Sequence, residues 1–300
     1  MSVANATARP RASAGSRRVT PAKAASRTGF YLLIALFVLA SLFPFYWIII
    51  TSLKTNADFS QGTTSLLPSH ISWGSYSFDL TQTSATGLNF GRSLLNSAIV
   101  ALSATALSVV LSTLAGYGLS RTRIWGKTPI LGFILLASFF PVIAMAGPLF
   151  LAYRHLGLLN NYLALIITYM VYTLPIATWF LANFFTQIPH QLEEAAVVDG
   201  ASRLQALRRV ILPVAVPGIF TVAILSFIFA WNDFIFALSF METPDMYTAP
   251  YAIVGLGHTQ YQVFYNRIDA AVVLITLPVA LLVIFAQRRI ISGLTAGALK

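Results

Sequence analysis

The chain has 300 residues, 57% of them hydrophobic and 9% charged, where a soluble domain is about one-quarter charged. So few charges cannot cover a water-facing surface, which makes lipid the solvent for most of the chain. The absence of cysteine excludes disulfide frameworks, thiolate nucleophiles and Cys-based zinc sites, and the meaning of the +10 net charge depends on where the charges fall.

Residues 1–28 are rich in Ala, Ser and Arg and carry Arg9, Arg11, Arg17, Arg18, Lys23 and Arg27 with no acid. They read as a disordered basic tail, a composition that organelle transit peptides share. The apolar run 29–53 exceeds a signal-peptide core of about 7–15 residues and has no small-residue cleavage site after it. It is predicted to stay as the first membrane helix. A helix needs about 20 apolar residues to cross the hydrocarbon core. Runs of that kind recur at 93–120, 128–153, 161–186, 212–232 (running on to about residue 240) and 270–287. The last is short, but Arg288 and Arg289 at its end can snorkel to the interface. The expectation is an all-α membrane protein with six transmembrane helices in a domain spanning 29–290, several of them kinked at Pro44, Pro141, Pro148, Pro175, Pro217 or Pro278.

Lys and Arg sort unevenly between the two sides of such a chain. Six lie in the N-terminal tail, three in 121–127, three in 187–211 and three after residue 287. Only Lys54, Arg92, Arg154 and Arg267 fall on the other side. By the positive-inside rule both termini are cytoplasmic. The basic charge is thus topological and implies no nucleic-acid partner.

Gly126-Lys127-Thr128 resembles the end of a phosphate loop, but position 121 is Arg and no strand precedes it. No His-Glu-x-x-His or Gly-x-Ser-x-Gly motif occurs, and His70, His155, His190 and His258 lie in four different connecting segments. Neither a catalytic nor a metal site is expected, and any ATP hydrolysis belongs to another chain.

The segment 189–213 is the most informative. Residues 190–199 favour a short helix, Gly200 suits its left-handed stop, and Ser202 with Gln205 reads as a capping box opening a second helix. Two short helices would then form a knob on the cytoplasmic side. Ala195 and Ala196 keep one face slim enough to enter a groove. Glu193, Glu194 and Asp199 supply acceptors for a partner's basic groups. An ordinary amphipathic loop helix would explain any one of these features.

Taken together, Glu194-Ala195-Ala196, Gly200 and Leu212-Pro213 resemble, at fixed offsets, the "EAA" signature of binding-protein-dependent ABC importer permeases. Val210 stands where that family often has Ile, and Asp199-Gly200-Ala201 is the form common in sugar importers. The resemblance extends over nearly all of the chain after residue 29. It is strongest to the second permease subunit of maltose- and trehalose-type importers, whose C-terminal tail residues 287–300 also resemble. It implies a type I ABC importer permease fold in the bacterial cytoplasmic membrane, with Glu194, Ala195, Ala196, Asp199 and Gly200 coupling to the ATPase. The implied partners are a homologous second permease, two ATP-binding subunits that hold ATP and Mg²⁺, and an extracytoplasmic sugar-binding protein. Residues 291–300 are then a cytoplasmic tail that reaches the ATPase dimer.

Two further places are candidate sites. Trp231-Asn232-Asp233 holds what reads as the one acid within the six runs, near the outer boundary about 30 Å along a helix from Pro213. Asn232 and Asp233 could bond sugar hydroxyls while Trp231 stacks on the apolar face; equally, Asp233 could cap a neighbouring helix. The outer loop 54–92 carries Trp73, Tyr76 and Phe78, and is read either as a docking surface or as a self-packed lid. The outer loop 241–269 carries Gly255, Gly257, His258, Gln260 and Tyr261. It resembles, in place and length, the loop that enters the binding protein's cleft in the maltose-type subgroup. A secondary transporter or channel for a small polar solute is the alternative on residue chemistry alone. That class usually buries ionisable residues deep in the membrane.

Overall fold

In the computed structural model the described residues are 21–60, 65–84, 86–122, 125–257 and 263–296. Their regular elements are helices: α1 (Pro21–Ser52), α2 (Asn56–Ser60), α3 (Gly74–Thr81), α4 (Phe90–Arg121), α5 (Lys127–Ala137), α6 (Val142–His155), α7 (Tyr162–Gln187), α8 (His190–Val198), α9 (Arg203–Ala206), α10 (Leu212–Asn232), α11 (Ile235–Phe240), α12 (Ala249–Gly255) and α13 (Tyr265–Ala296). A π-helical stretch, Leu207–Ile211, joins α9 to α10, and a 3₁₀ turn, Pro244–Met246, precedes α12.

Five stretches among the described residues are long and apolar enough to cross a membrane: Arg27–Ser52, Phe90–Arg121, Tyr162–Gln187, Arg203–Asn232 and Tyr265–Gln287. A sixth is made if α5 and α6 count as one span, but they meet at an 86° bend. The single helix expected over 128–153 is therefore corrected to two. Pro141 is the cause: it caps α6 in an extended conformation, offers no N–H to α5, and pushes the residue before it out of helical geometry.

Two other boundaries move. α10 ends at Asn232 and does not run on to about residue 240, because Asp233 is extended and a new helix, α11, starts after it. α13 starts at Tyr265, five residues before the apolar run, so Asp269 lies in a helix of span length and Asp233 is not the one acid there.

The chain divides into two units, residues 1–47 and 48–300. In the first, α1 begins at Pro21, inside the expected tail 1–28. A proline at the opening position and the Ala-rich residues after it suit helix initiation. Its apolar side chains, Phe30, Leu33 and Phe37 among them, are exposed, and Phe43 stacks on Trp47 with centroids 6.2 Å apart. Residues 1–20 lie outside the described set. At the other end, α13 continues to Ala296 through the expected tail 291–300, and residues 297–300 are outside the described set.

The second unit is organised by α4, α7 and α10. Lipid supplies no hydrophobic drive between helices, so close backbone approach must. α4 buries a stripe of small residues at helical spacing: Ser93, Ser97, Ala101, Ala104, Ser108, Ser112 and Gly116. Through it Ser108 Oγ meets Thr173 Oγ1 of α7 at 2.6 Å. A Cβ on Gly116 would lie 3.0 Å from the Ala182 backbone, and one on Gly218 of α10 would lie 2.8 Å from the Phe184 ring. Larger residues at these two positions would force the helices apart. Apolar clusters fill both ends: Tyr169, Trp231, Phe236 and Phe240 at one, Leu181, Phe185, Ile188, Leu207 and Ile211 at the other.

Candidate functional site: a two-helix knob between α7 and α10

α7 stops at Ile188, and Pro189 opens α8. α8 ends as its sequence dictates. Gly200 takes φ +88°, its N–H donates to Val197 O at 3.0 Å, and the Ala201 N–H donates to Ala196 O at 2.9 Å. These are the two bonds of a Schellman stop. A Cβ at Gly200 would meet nothing within 4 Å, so its requirement is conformational and not steric. Immediately afterwards the capping box forms, with Gln205 N–H donating to Ser202 Oγ at 3.3 Å and Ser202 N–H to Gln205 Oε1 at 2.8 Å. The chain then roots itself: Ala206, Leu207 and Ile211 are buried where α9 runs through the π-helical stretch into α10.

Glu194, Ala195, Asp199 and Gly200 are exposed, and Ala196 is half-buried. Val198 and Leu204 add an apolar tip, 85% and 70% exposed. Glu193 departs from the expectation that it serves a partner. It turns back on its own chain, where Tyr117 Oη donates to its Oε1 at 2.6 Å and Arg121 Nε lies 3.3 Å from its Oε2. Arg121 Nη2 also donates to Ile188 O at 2.9 Å. A concavity of about 420 Å³, lined by Tyr117, Arg121, His190, Glu193, Glu194 and Arg203, opens beside this contact. Sequence reasoning missed Tyr117 and counted Arg121 only as a topological charge. The available signal was their four-residue spacing, which puts both on one face of α4.

At the far end of α10, the Trp231, Asn232 and Asp233 side chains have separate partners. Trp231 is 4% exposed, stacks on Phe227 and donates Nε1–H to Ile275 O at 3.0 Å. Asn232 is exposed and donates to Ile228 O at 2.8 Å. Asp233 Oδ2 accepts from Tyr169 Oη at 2.8 Å and from the N–H groups of Phe236 and Ala237 at 3.2 Å, closing the first turn of α11. Asn232 and Asp233, without Trp231, line a concavity of about 540 Å³.

The segments joining α1 to α4 and α11 to α13 are packed. Between α1 and α4, Tyr76 Oη meets Ser52 Oγ at 2.6 Å, and the Arg267 guanidinium lies 3.7 Å over the Phe78 ring. Trp73 remains 66% exposed. Asp79 is buried, and both its oxygens lack a hydrogen-bond partner among the described residues. Desolvation pushes its carboxyl up to about 7, against the opposing pull of Arg267. Between α11 and α13 the loop is pinned by Asn96 of α4, which donates to Asp245 O and Tyr247 O and accepts from Tyr162 Oη. Gly257 has φ +78°, and a Cβ there would come 2.8 Å from Ile268, so both its conformation and its space demand glycine. Gly255 simply ends α12. His258, Gln260 and Tyr261 lie outside the described residues.

Span-length apolar helices packed through small residues, with a two-helix knob on the segment joining two of them, are the features of a multi-pass membrane protein. Residues 108–295 match the family described as "Binding-protein-dependent transport system inner membrane component". The chain is 39% identical over 270 residues to the sulfoquinovosyl glycerol transport system permease protein SmoH of Agrobacterium fabrum, covering 90% of this chain and 93% of that one. It is 40% identical over 261 residues to the trehalose transport system permease protein SugB of Mycobacterium tuberculosis, covering 87% and 93%. Its fold matches a chain of a bacterial ABC transporter involved in the import of the acidic polysaccharide alginate, with a TM-score of 0.75, 25% identity and coverage of 90% and 98%. The chain belongs to the binding-protein-dependent transport system inner membrane component family. Membership sets aside the secondary transporter or channel.

Proposed function

We propose that this chain is one of two permease subunits of an ATP-driven sugar importer, carrying a di- or oligosaccharide across the cytoplasmic membrane. It spans six times, the α5–α6 pair serving as one broken span, with both termini in the cytoplasm, a reading the Lys/Arg distribution supports. The knob formed by α8 and α9 docks in a groove of an ATP-binding subunit through Glu194, Ala195, Ala196, Asp199 and Gly200. Two such subunits bind ATP and Mg²⁺, and a homologous permease completes the path. An extracytoplasmic binding protein delivers the sugar, meeting the outer loop at Gly255, Gly257, His258, Gln260 and Tyr261. Asn232 and Asp233 line the path, and Trp231 supports the helix behind them. Domains follow the same plan: tail 1–28, permease 29–290, tail 291–300.

One observation carries the reading: a Schellman stop and a capping box, back to back, hold two exposed short helices at a fixed angle on a buried root. A mobile loop would not transmit a push; this one can. The sugar assignment rests on the named substrates of SugB and SmoH. The test is to purify the assembled complex with its binding protein and ask which sugar stimulates ATP hydrolysis. Stimulation by trehalose- or maltose-like sugars supports the reading. Stimulation by none, with amino acids or ions effective instead, rejects the sugar.

A further inference from the structure

We propose that Tyr117, Arg121 and Glu193 form a clamp that fixes α8 to the end of α4, making them positioning residues for coupling. The proposal rests on the reading of α8 and α9 as the docking knob. α8 has only nine residues and connects to α7 through the extended Ile188–Pro189 step. At its other side the chain passes into α10 through a π-helical stretch, whose wider turn is a common place for bending. The Schellman stop and capping box fix α8 against α9, so the Ile188–Pro189 step and the π-helical stretch are where the knob as a whole could still swing when pushed.

Lateral contact removes that freedom. Arg121, in the last turn of α4, has its side chain 4% exposed and reaches two targets at once: Ile188 O at the end of α7 and the Glu193 carboxylate in the first turn of α8. Tyr117, one turn earlier, donates to the other carboxylate oxygen and sets its ring edge-on to Phe185 of α7 at 6.0 Å. Next to Tyr117 is Gly116, where an added Cβ would lie 3.0 Å from the Ala182 backbone of α7. α4, α7 and α8 are thereby one body, and a displacement of the knob is delivered to the α4–α7 pair. Glu193 therefore differs in task from Glu194, which faces outward one position later.

The experiment uses the complete reconstituted complex with its binding protein. It measures retention of the ATP-binding subunits, and solute imported per ATP hydrolysed. Arg121→Ala and Glu193→Ala should each keep the ATP-binding subunits bound while lowering solute per ATP by about 10-fold, within the usual range for coupling between two sites. The double variant should be no worse than the weaker single, since both remove one clamp. Glu193→Gln, which keeps an acceptor for Tyr117, should lie between wild type and Glu193→Ala. An unchanged ratio in both single variants would overturn the clamp. So would multiplicative loss in the double variant, or loss of the ATP-binding subunits from Glu193→Ala, which would place Glu193 on the docking face. Gly200→Asp separates the two readings: if it retains the ATP-binding subunits and full uptake, the knob is not the docking element, whatever the clamp variants do.

Discussion

The two ends of α10 carry the two sequence motifs of greatest interest, and they are built by different physics. At the knob end, the turn is dictated by neighbours in sequence: Gly200 bonds to a residue three positions back and Ser202 to one three positions on. At the other end, Asp233 is held by Tyr169, 64 positions away, and Trp231 by Ile275, 44 positions away. A short-range motif has the same geometry wherever its sequence occurs. A residue whose partner is on another helix has a role that its neighbours in sequence do not reveal.

Substitutions at Gly200 test the local end and carry the largest expected effect. At φ +88° a Cβ costs about 1–2 kcal/mol, so Gly200→Ala should tilt the knob and weaken co-purification of the ATP-binding subunits. Gly200→Asp, which also adds bulk on the proposed docking face, should abolish co-purification and uptake. If both variants retain uptake, the left-handed stop is dispensable and the contrast between the two ends collapses.

The tertiary end is tested by Asp233. Its replacement by Ala strands the Tyr169 hydroxyl and two backbone donors of α11, at a cost of about 1–3 kcal/mol. Thermal unfolding in detergent should fall by several degrees, with a proportionate loss of uptake. Asp233→Asn keeps an acceptor and should unfold within a degree or two of wild type. A variant Asp233→Asn that unfolds normally yet fails to transport would show the carboxylate working on the substrate and not on the α10–α11 corner.

Asp79 gives a smaller, pH-dependent effect. Its carboxyl is raised to about 7 by burial, against an ordinary value near 4, so between those values the folded chain holds a proton that the unfolded chain has released. Stability from this group is greatest at pH below about 4, declines as pH rises, and levels off above about 7. Asp79→Asn should flatten that decline between about pH 4 and 7 in thermal unfolding curves. An unaltered pH profile would mean that Asp79 is hydrated in the working protein.

The smallest effect is expected at Glu194. Exposed ion pairs contribute about 0–1 kcal/mol, so Glu194→Ala should reduce retention of the ATP-binding subunits slightly, and only at low salt. Ala195→Leu should do more, by widening the face that enters the groove. The reverse order would mean that the knob binds by charge and not by shape.

By itself the sequence determined that lipid is the solvent, that six apolar runs are present, and that a helix stops at Gly200 and another starts at Ser202. Each of these depends on composition or on residues within about four positions, where backbone geometry leaves little choice. Other features depended on the tertiary structure. Glu193 was legible as an acid in a helix's first turn, but its inward direction required Tyr117, 76 positions away, to be brought alongside. Pro141 was legible as a kink, but the size of the break, 86°, was not. Trp231 had the composition of a sugar platform and became a packing residue once the Ile275 carbonyl lay within reach of its N–H. Local hydrogen bonds form wherever the sequence places their donors and acceptors, whereas long-range ones exist only after the helices have packed.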